Sequence, residues 1–238
     1  MADKLYRQEI KQLLTPVQSC LLEQRIASVL SQDSHSDTTG CYHIRSIYFD
    51  SLSDEAYEDK LAGVNHREKI RIRFYGLQPT TIKLERKEKN GNLIHKDSVL
   101  ITKETAEEML SGDFSALTSY QHPLTDYVYS MACSKGLRPV IVVDYVRKAY
   151  TYPVGNVRIT FDTKLQARSP LENIWEYGSL SNVLGEDTIL EIKFNRYLPE
   201  HIRQLLCSVP GQRMALSKYT LCRENLGRQQ GNLLLGKT

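Results

Sequence analysis

Alternation with a period of two runs through most of this chain, the pattern of strands with one apolar and one polar face. In HREKIRIRFYG, residues 66–76, Glu68, Ile70, Ile72 and Phe74 share one face, and Arg67, Lys69, Arg71, Arg73 and Tyr75 the other. TIKLERK sets Ile82 and Leu84 against Thr81, Lys83, Glu85 and Lys87. VRITFD sets Val157, Ile159 and Phe161 against Arg158, Thr160 and Asp162. In LEIKF, Glu191 and Lys193 oppose Leu190, Ile192 and Phe194, and in RQEIK the polar face is Arg7, Glu9 and Lys11. Tyr145 and Arg147 share a face of DYVRKA, while SIYFD places Ser46, Tyr48 and Asp50 opposite Ile47 and Phe49.

Helical signals are fewer. Thr15-Pro16 reads as an N-cap followed by proline at the first helical position, ahead of the helically spaced VQSCLLEQRIASVL. SLSDEAYEDKLAG, TKETAEEMLSG, PLTDYVYSMACSKG and LPEHIRQLLCSV read as further helices, and SKYTLCREN as a short last element. KNGN marks a hairpin between TIKLERKEK and LIHKDSVLI. Residues 168–188 carry no clear period, and residues 226–238 read as a mobile tail. The elements predict one α+β domain over residues 1–225, with mostly antiparallel strands curved into a barrel and helices packed outside.

Charge sharpens this picture. One strand with a cationic face is explained by solvent, but six or seven such strands, dense in Arg and Lys, are not. A closed barrel would turn the apolar faces outward under the helices and the charged faces into a wet lumen. That lumen would collect Lys11, Arg71, Arg73, Lys83, Lys87, Arg147, Arg158 and Lys193, with only Glu9, Glu85 and Glu191 to offset them. A polyanion would supply the missing charge, since arginine forks suit phosphate oxygens and lysine adds point charge. The net charge is only +3, so the basicity is a local site rather than the coat of a nonspecific nucleic-acid binder. With 8% aromatic residues and no basic-aromatic platform, nucleic acid is not expected as a partner.

The five cysteines are widely spaced with no C-x-x-C, which argues against a disulfide framework or a zinc site. His43, His66 and His95 are too scattered to read as ligands. No apolar run reaches the roughly 20 residues a membrane helix needs, and the charged N-terminus is unlike a signal peptide. The chain therefore reads as soluble and cytoplasmic.

The segments YRQEIK, IRSIYFDS, KIRIRFYG, IKLERK, VRKAY, VRITFD, LEIKF and LSKY, in that order, resemble the metal-dependent triphosphate tunnel enzymes. Within them the chain most resembles the VTC domain, the polyphosphate polymerase domain of the vacuolar transporter chaperone and its bacterial relatives. The resemblance implies an antiparallel eight-stranded β-barrel tunnel and transfer of the ATP γ-phosphoryl group to a growing polyphosphate chain. It implies Lys11, Arg71, Arg73, Lys83, Arg147, Arg158 and Lys218 as catalytic basics, with Glu191 holding Mn²⁺ or Mg²⁺. Glu9, Glu85, Lys87, Tyr145, Lys193 and Ser217 are the expected secondary substrate contacts; for Ser217 a helix-capping role stays equally open. The related CYTH branch opens with Glu-x-Glu-x-Lys, whereas this chain has Arg7-x-Glu9-x-Lys11, which argues against a thiamine-triphosphatase or class IV cyclase. A tripolyphosphatase or nucleoside triphosphatase, with Glu9 or Glu85 orienting water, stays open as the alternative, as does a non-catalytic polyphosphate sensor. No membrane domain and no N-terminal phosphosugar-sensing domain are read in the chain. A membrane-protein partner for the product and the oligomeric state are left open by the sequence.

Overall fold

The computed structural model describes residues 7–33, 39–91, 93–170, 173–176, 178–209 and 211–235. Among these described residues, eleven strands and six α-helices follow in chain order: β1 (Arg7–Leu14), α1 (Pro16–Ala27), β2 (Ser31–Gln32), β3 (Tyr42–Asp50), α2 (Glu55–Leu61), β4 (His66–Tyr75), β5 (Ile82–Asn90), β6 (Leu93–Ile101), α3 (Lys103–Ser111), α4 (Pro123–Lys135), β7 (Arg138–Tyr152), β8 (Val157–Arg168), β9 (Ser181–Asn182), β10 (Thr188–Asn195), α5 (Glu200–Cys207), β11 (Gln212–Arg213) and α6 (Lys218–Leu235). Short 3₁₀ turns cover Ser115–Tyr120 and Val154–Asn156. The chain divides into two compact units, and β7 contributes its first half to one and its second half to the other.

The first unit comprises residues 1–43, 145–166 and 182–217. Its strand order is β11-β1-β10-β8-β7, with β2 also on β7. β1 runs antiparallel to β10, in a register that sets Ile10 opposite Ile192 and Lys11 opposite Glu191. β10 pairs with β8 so that Ile192 meets Ile159 and Glu191 meets Thr160. One face is therefore mainly apolar, and α1 and α5 cover it. Leu22, Ile26, Ile202 and Leu206 pack there on Val157, Ile159, Phe161, Leu190, Ile192 and Phe194. The start of α1 follows from local chemistry. Thr15 accepts from the Gln18 backbone N–H, and the Gln18 side chain accepts from the Thr15 N–H at 2.9 Å, a reciprocal cap with Pro16 in the first turn.

The second unit comprises residues 44–144, 167–181 and 218–238. Its order is β7-β3-β4-β5-β6. Ile47, Ile72 and Leu84 lie side by side across β3, β4 and β5. With Phe49, Ile70, Phe74, Ile82 and Ile101 they form a face covered by Ala106 and Met109 of α3, Leu117, and Leu124 and Val128 of α4. The irregular stretch before β9 is held by arginines. Arg45 is fully buried, pairs with Asp144 through both carboxylate oxygens, and donates to the carbonyls of Ile174 and Glu176. Arg168 donates to the Asn173 carbonyl at 2.9 Å.

The architecture is mixed α and β around a large antiparallel sheet, with helices on the apolar faces as expected. The expected closed eight-stranded barrel is corrected, because in neither unit does the strand order close on itself among the described residues. β11 offers two residues for pairing, and β6 ends its ladder with Leu93 and Leu100 exposed. Helix α6 takes in Lys218–Leu235, so the stretch read as a tail from residue 226 begins inside it; residues 236–238 lie outside the described residues.

Candidate functional site

The polar faces carry the candidate chemistry, one set in each unit. In the second unit, Arg71 on β4 faces Tyr48 on β3 and Glu85 on β5. Its Nε donates to Glu85 Oε2 at 2.8 Å, its Nη2 lies 2.6 Å from the same oxygen, and its Nη1 donates to the Tyr48 hydroxyl at 2.9 Å. One pleat along, Arg73 stands between Ser46 and Lys83, donates to Ser46 Oγ at 3.3 Å and reaches to 3.8 Å from Glu85. Lys96 of β6 places Nζ 2.5 Å from Glu85 Oε1. Glu85 is thus a 2%-exposed carboxylate among three cations. Burial opposes its ionisation, but Arg71, Arg73 and Lys96 together outweigh burial and hold the carboxyl down at about 2. In the next row Lys69, Lys87 and Lys96 stand directly opposite one another across β4, β5 and β6.

Lys218 is buried at the first position of α6. The neighbouring Tyr219 anchors that end of the helix by donating its hydroxyl to Asp50, whose carboxylate also accepts the backbone N–H groups of Ser51, Ala56 and Tyr57. Burial first, then the Asp50 charge, push the Tyr219 hydroxyl far above its ordinary range, so it remains a donor.

In the first unit, Arg147 and Asp162 form a two-pronged pair at 2.6 and 2.7 Å, and Asp162 is fully buried. Burial opposes the Arg147 charge, but Asp162, Tyr145 and Glu191 overcome it and fix the guanidinium as a cation. The Tyr145 ring lies 5.3 Å from the Arg147 Cζ. Glu191 Oε2 is 3.6 Å from Arg147 and 3.2 Å from Lys193 Nζ. Lys11 Nζ lies 3.0 Å from Glu9 and 3.4 Å from Glu191, and donates to the Leu216 carbonyl. Arg158 lies 2.5 Å from Asp33 and donates to the Tyr42 hydroxyl at 2.9 Å. Ser217 is half-buried directly before α6.

A family model of the VTC domain matches residues 6–226. The chain belongs to the VTC domain family. Solved structures agree on the fold. The VTC domain here superposes on the candidate adenylyl cyclase HpAC1 from Hippeastrum, a protein described as having a dominant triphosphatase activity. The TM-score is 0.56 at 15% identity, over 92% of this chain and 95% of that one. It also superposes on a candidate adenylate cyclase from Bacillus halodurans (TM-score 0.51, 14% identity, 90% and 94% covered). The PH1819 protein from Pyrococcus horikoshii OT3 is similar at TM-score 0.50 and 15% identity, with 92% and 99% covered. At 14–15% identity these likenesses concern the fold alone. A search of curated proteins returns no significant match. Among the described residues no helix is long and apolar enough to cross a membrane.

The sequence-derived residues of this VTC domain separate by unit. Arg71, Arg73, Lys83, Glu85, Lys87 and Lys218 belong to the second unit; Glu9, Lys11, Tyr145, Arg147, Arg158, Glu191, Lys193 and Ser217 belong to the first. The expectation that three carboxylates stand alone against the cations is corrected. Asp162 and Asp33 add two more, and Arg71, Arg147 and Arg158 each have a buried carboxylate within 2.6 Å. Asp33, Tyr42 and Lys96 were not readable as site residues, because what marks them is strand register and a contact with a distant arginine. Asp162, Tyr48 and Ser46 were readable as members of polar faces but not as partners of those arginines.

The fit of a divalent cation rests on Glu191 and Glu9. Among the described residues no group of three or more His, Cys, Asp or Glu is placed to cage a metal. Magnesium-type ions use one or two carboxylates, water and substrate phosphate oxygens instead of an all-protein cage. Glu191 and Glu9 fit that mode, since both come within 3.4 Å of one ammonium, that of Lys11.

Proposed function

We propose that this VTC domain is a polyphosphate polymerase that transfers the γ-phosphoryl group of ATP onto a growing phosphate chain. The observation that carries the reading is the pairing of each arginine with a buried carboxylate. Such arginines are rigid, permanently charged forks, and phosphoryl transfer needs positioning and charge neutralisation more than a covalent nucleophile.

Arg71, Arg73, Lys83 and Lys87 form one phosphate-binding set, and Lys11, Arg147, Arg158 and Lys193 another. Lys218 adds a cation at the start of α6. Tyr145 lines the Arg147 guanidinium, and Ser217 offers a hydroxyl beside Lys218. Glu191, with Glu9, would hold Mn²⁺ or Mg²⁺, which when bound neutralises charge on phosphate oxygens. The terminal phosphate of the chain attacks phosphorus, the bond to the bridging oxygen breaks, and ADP leaves; the basic residues hold the oxygens in line and offset the charge on the leaving group.

The hydrolytic alternative would need a carboxylate to activate water. Glu85 is held at about 2 and Glu9 is ion-paired to Lys11, so both are poor bases, which supports transfer to phosphate over transfer to water. Quantifying ADP and orthophosphate from the same ATP reaction tests this. A polymerase releases ADP in excess of orthophosphate, and Arg147→Ala reduces both by roughly a hundredfold or more, as lost charge-stabilising donors do. Equal amounts of ADP and orthophosphate would mean hydrolysis. Nucleotide binding without turnover would mean a sensor.

A further inference from the structure

A carboxylate in the middle of an anion-binding face is a contradiction if it only sits there. Glu85 would repel any phosphate that Arg71 and Arg73 receive, at a separation where like charges interact strongly. It is nearly inaccessible, and its contacts are the site's own cations: Arg71 through Nε and Nη2, Lys96 at 2.5 Å, and Arg73 at 3.8 Å. Without it, Arg71, Arg73 and Lys96 would lose the carboxylate that lies among them within a few ångströms, and their mutual repulsion would favour splaying of their flexible stems.

We propose that Glu85 is a positioning residue: it holds the Arg71 guanidinium and the Lys96 ammonium in place, so that the face binds a triphosphate more tightly with the carboxylate present than without it. The proposal rests on the reading of this face as a phosphate site. Arg71 is braced on its other side by the Tyr48 hydroxyl, so Glu85 and Tyr48 together set the plane of the fork. An arginine fixed in this way has less conformational freedom to lose when phosphate arrives. The pKa of about 2 agrees with this role, since Glu85 stays a carboxylate throughout the working pH range and moves no proton.

The two possible roles predict opposite signs. If Glu85 is only a nearby negative charge, removing it strengthens anion binding. If it positions the cations, removing it weakens binding. Titration calorimetry of the full chain with inorganic tripolyphosphate separates them. Glu85→Gln is expected to weaken binding at least about tenfold, the loss of one charged hydrogen-bonding partner. Glu85→Asp keeps the charge but withdraws it by one methylene, and is expected to weaken binding too; it decides the question if Glu85→Gln does not fold. Arg71→Lys combined with either variant should cost less than the two single losses multiplied, because Glu85 acts through Arg71. Unchanged or tighter binding by Glu85→Gln, or wild-type affinity in Glu85→Asp, overturns the proposal while leaving the phosphate site standing. A wild-type chain that does not bind tripolyphosphate overturns the site reading, and the proposal with it.

Discussion

Asp162 makes no approach to solvent, and its carboxylate is the main counter-charge to the buried Arg147 guanidinium. Taking one partner from a buried ion pair leaves an uncompensated charge and costs about 3–5 kcal/mol. Asp162→Asn is therefore expected to lower stability on that scale in urea unfolding, and an unchanged midpoint would mean that the pair contributes nothing. Glu85 gives a pH signature. Its folded-state pKa is about 2 against 4.5 for the free side chain. Its contribution is thus complete above pH 4.5 and is lost as the pH falls from there toward 2, where the native carboxylate finally takes up its proton. Urea midpoints measured between pH 5 and pH 3 should fall in the wild type, and fall less steeply in Glu85→Gln. At this scale the sequence was only half legible. A period of two places Arg71, Arg147 and Arg158 on polar faces without further information. Which carboxylate stands behind each depends on register and on residues far along the chain, such as Asp33 for Arg158.

The strands are the most legible elements, because each announces its two faces locally, and α1 announces its start through Thr15, Pro16 and Gln18. The stretch before β9 was illegible for a stated reason: its carbonyls are satisfied by Arg45 and Arg168, which lie on β3 and β8, so no local period survives. Helix α6 was read short because Gly227 and Gly231 weaken the helical signal within it. The row Lys69, Lys87 and Lys96 is an element-level feature, since it exists only once β4, β5 and β6 are in register. Like charges directly opposite one another destabilise a sheet. Lys87→Gln is accordingly expected to raise the melting temperature slightly without phosphate and to reduce the further rise that tripolyphosphate gives. A thermal-shift series with and without the anion reads both effects, and a mutant that responds to tripolyphosphate as the wild type does would remove Lys87 from the site.

At the scale of the whole molecule, a near-neutral chain carries dense, ordered cationic faces, and the family match extends across residues 6–226. The segregation of faces within each unit accounts for the first of these. Apolar faces take the helices, polar faces take the charge, and acidic residues are spent inside the polar faces as braces for arginine. The open strand order was not legible, because strand count and alternation do not say whether a sheet closes on itself. The direct test of the account follows the phosphorus. Wild-type protein and Glu191→Ala are incubated with ATP and Mn²⁺ or Mg²⁺ and observed by ³¹P NMR. A polymerase gives an internal-phosphate signal that grows in step with ADP in the wild type and is absent in the variant. Orthophosphate as the sole phosphate product, or an internal-phosphate signal that persists undiminished in Glu191→Ala, would contradict the account.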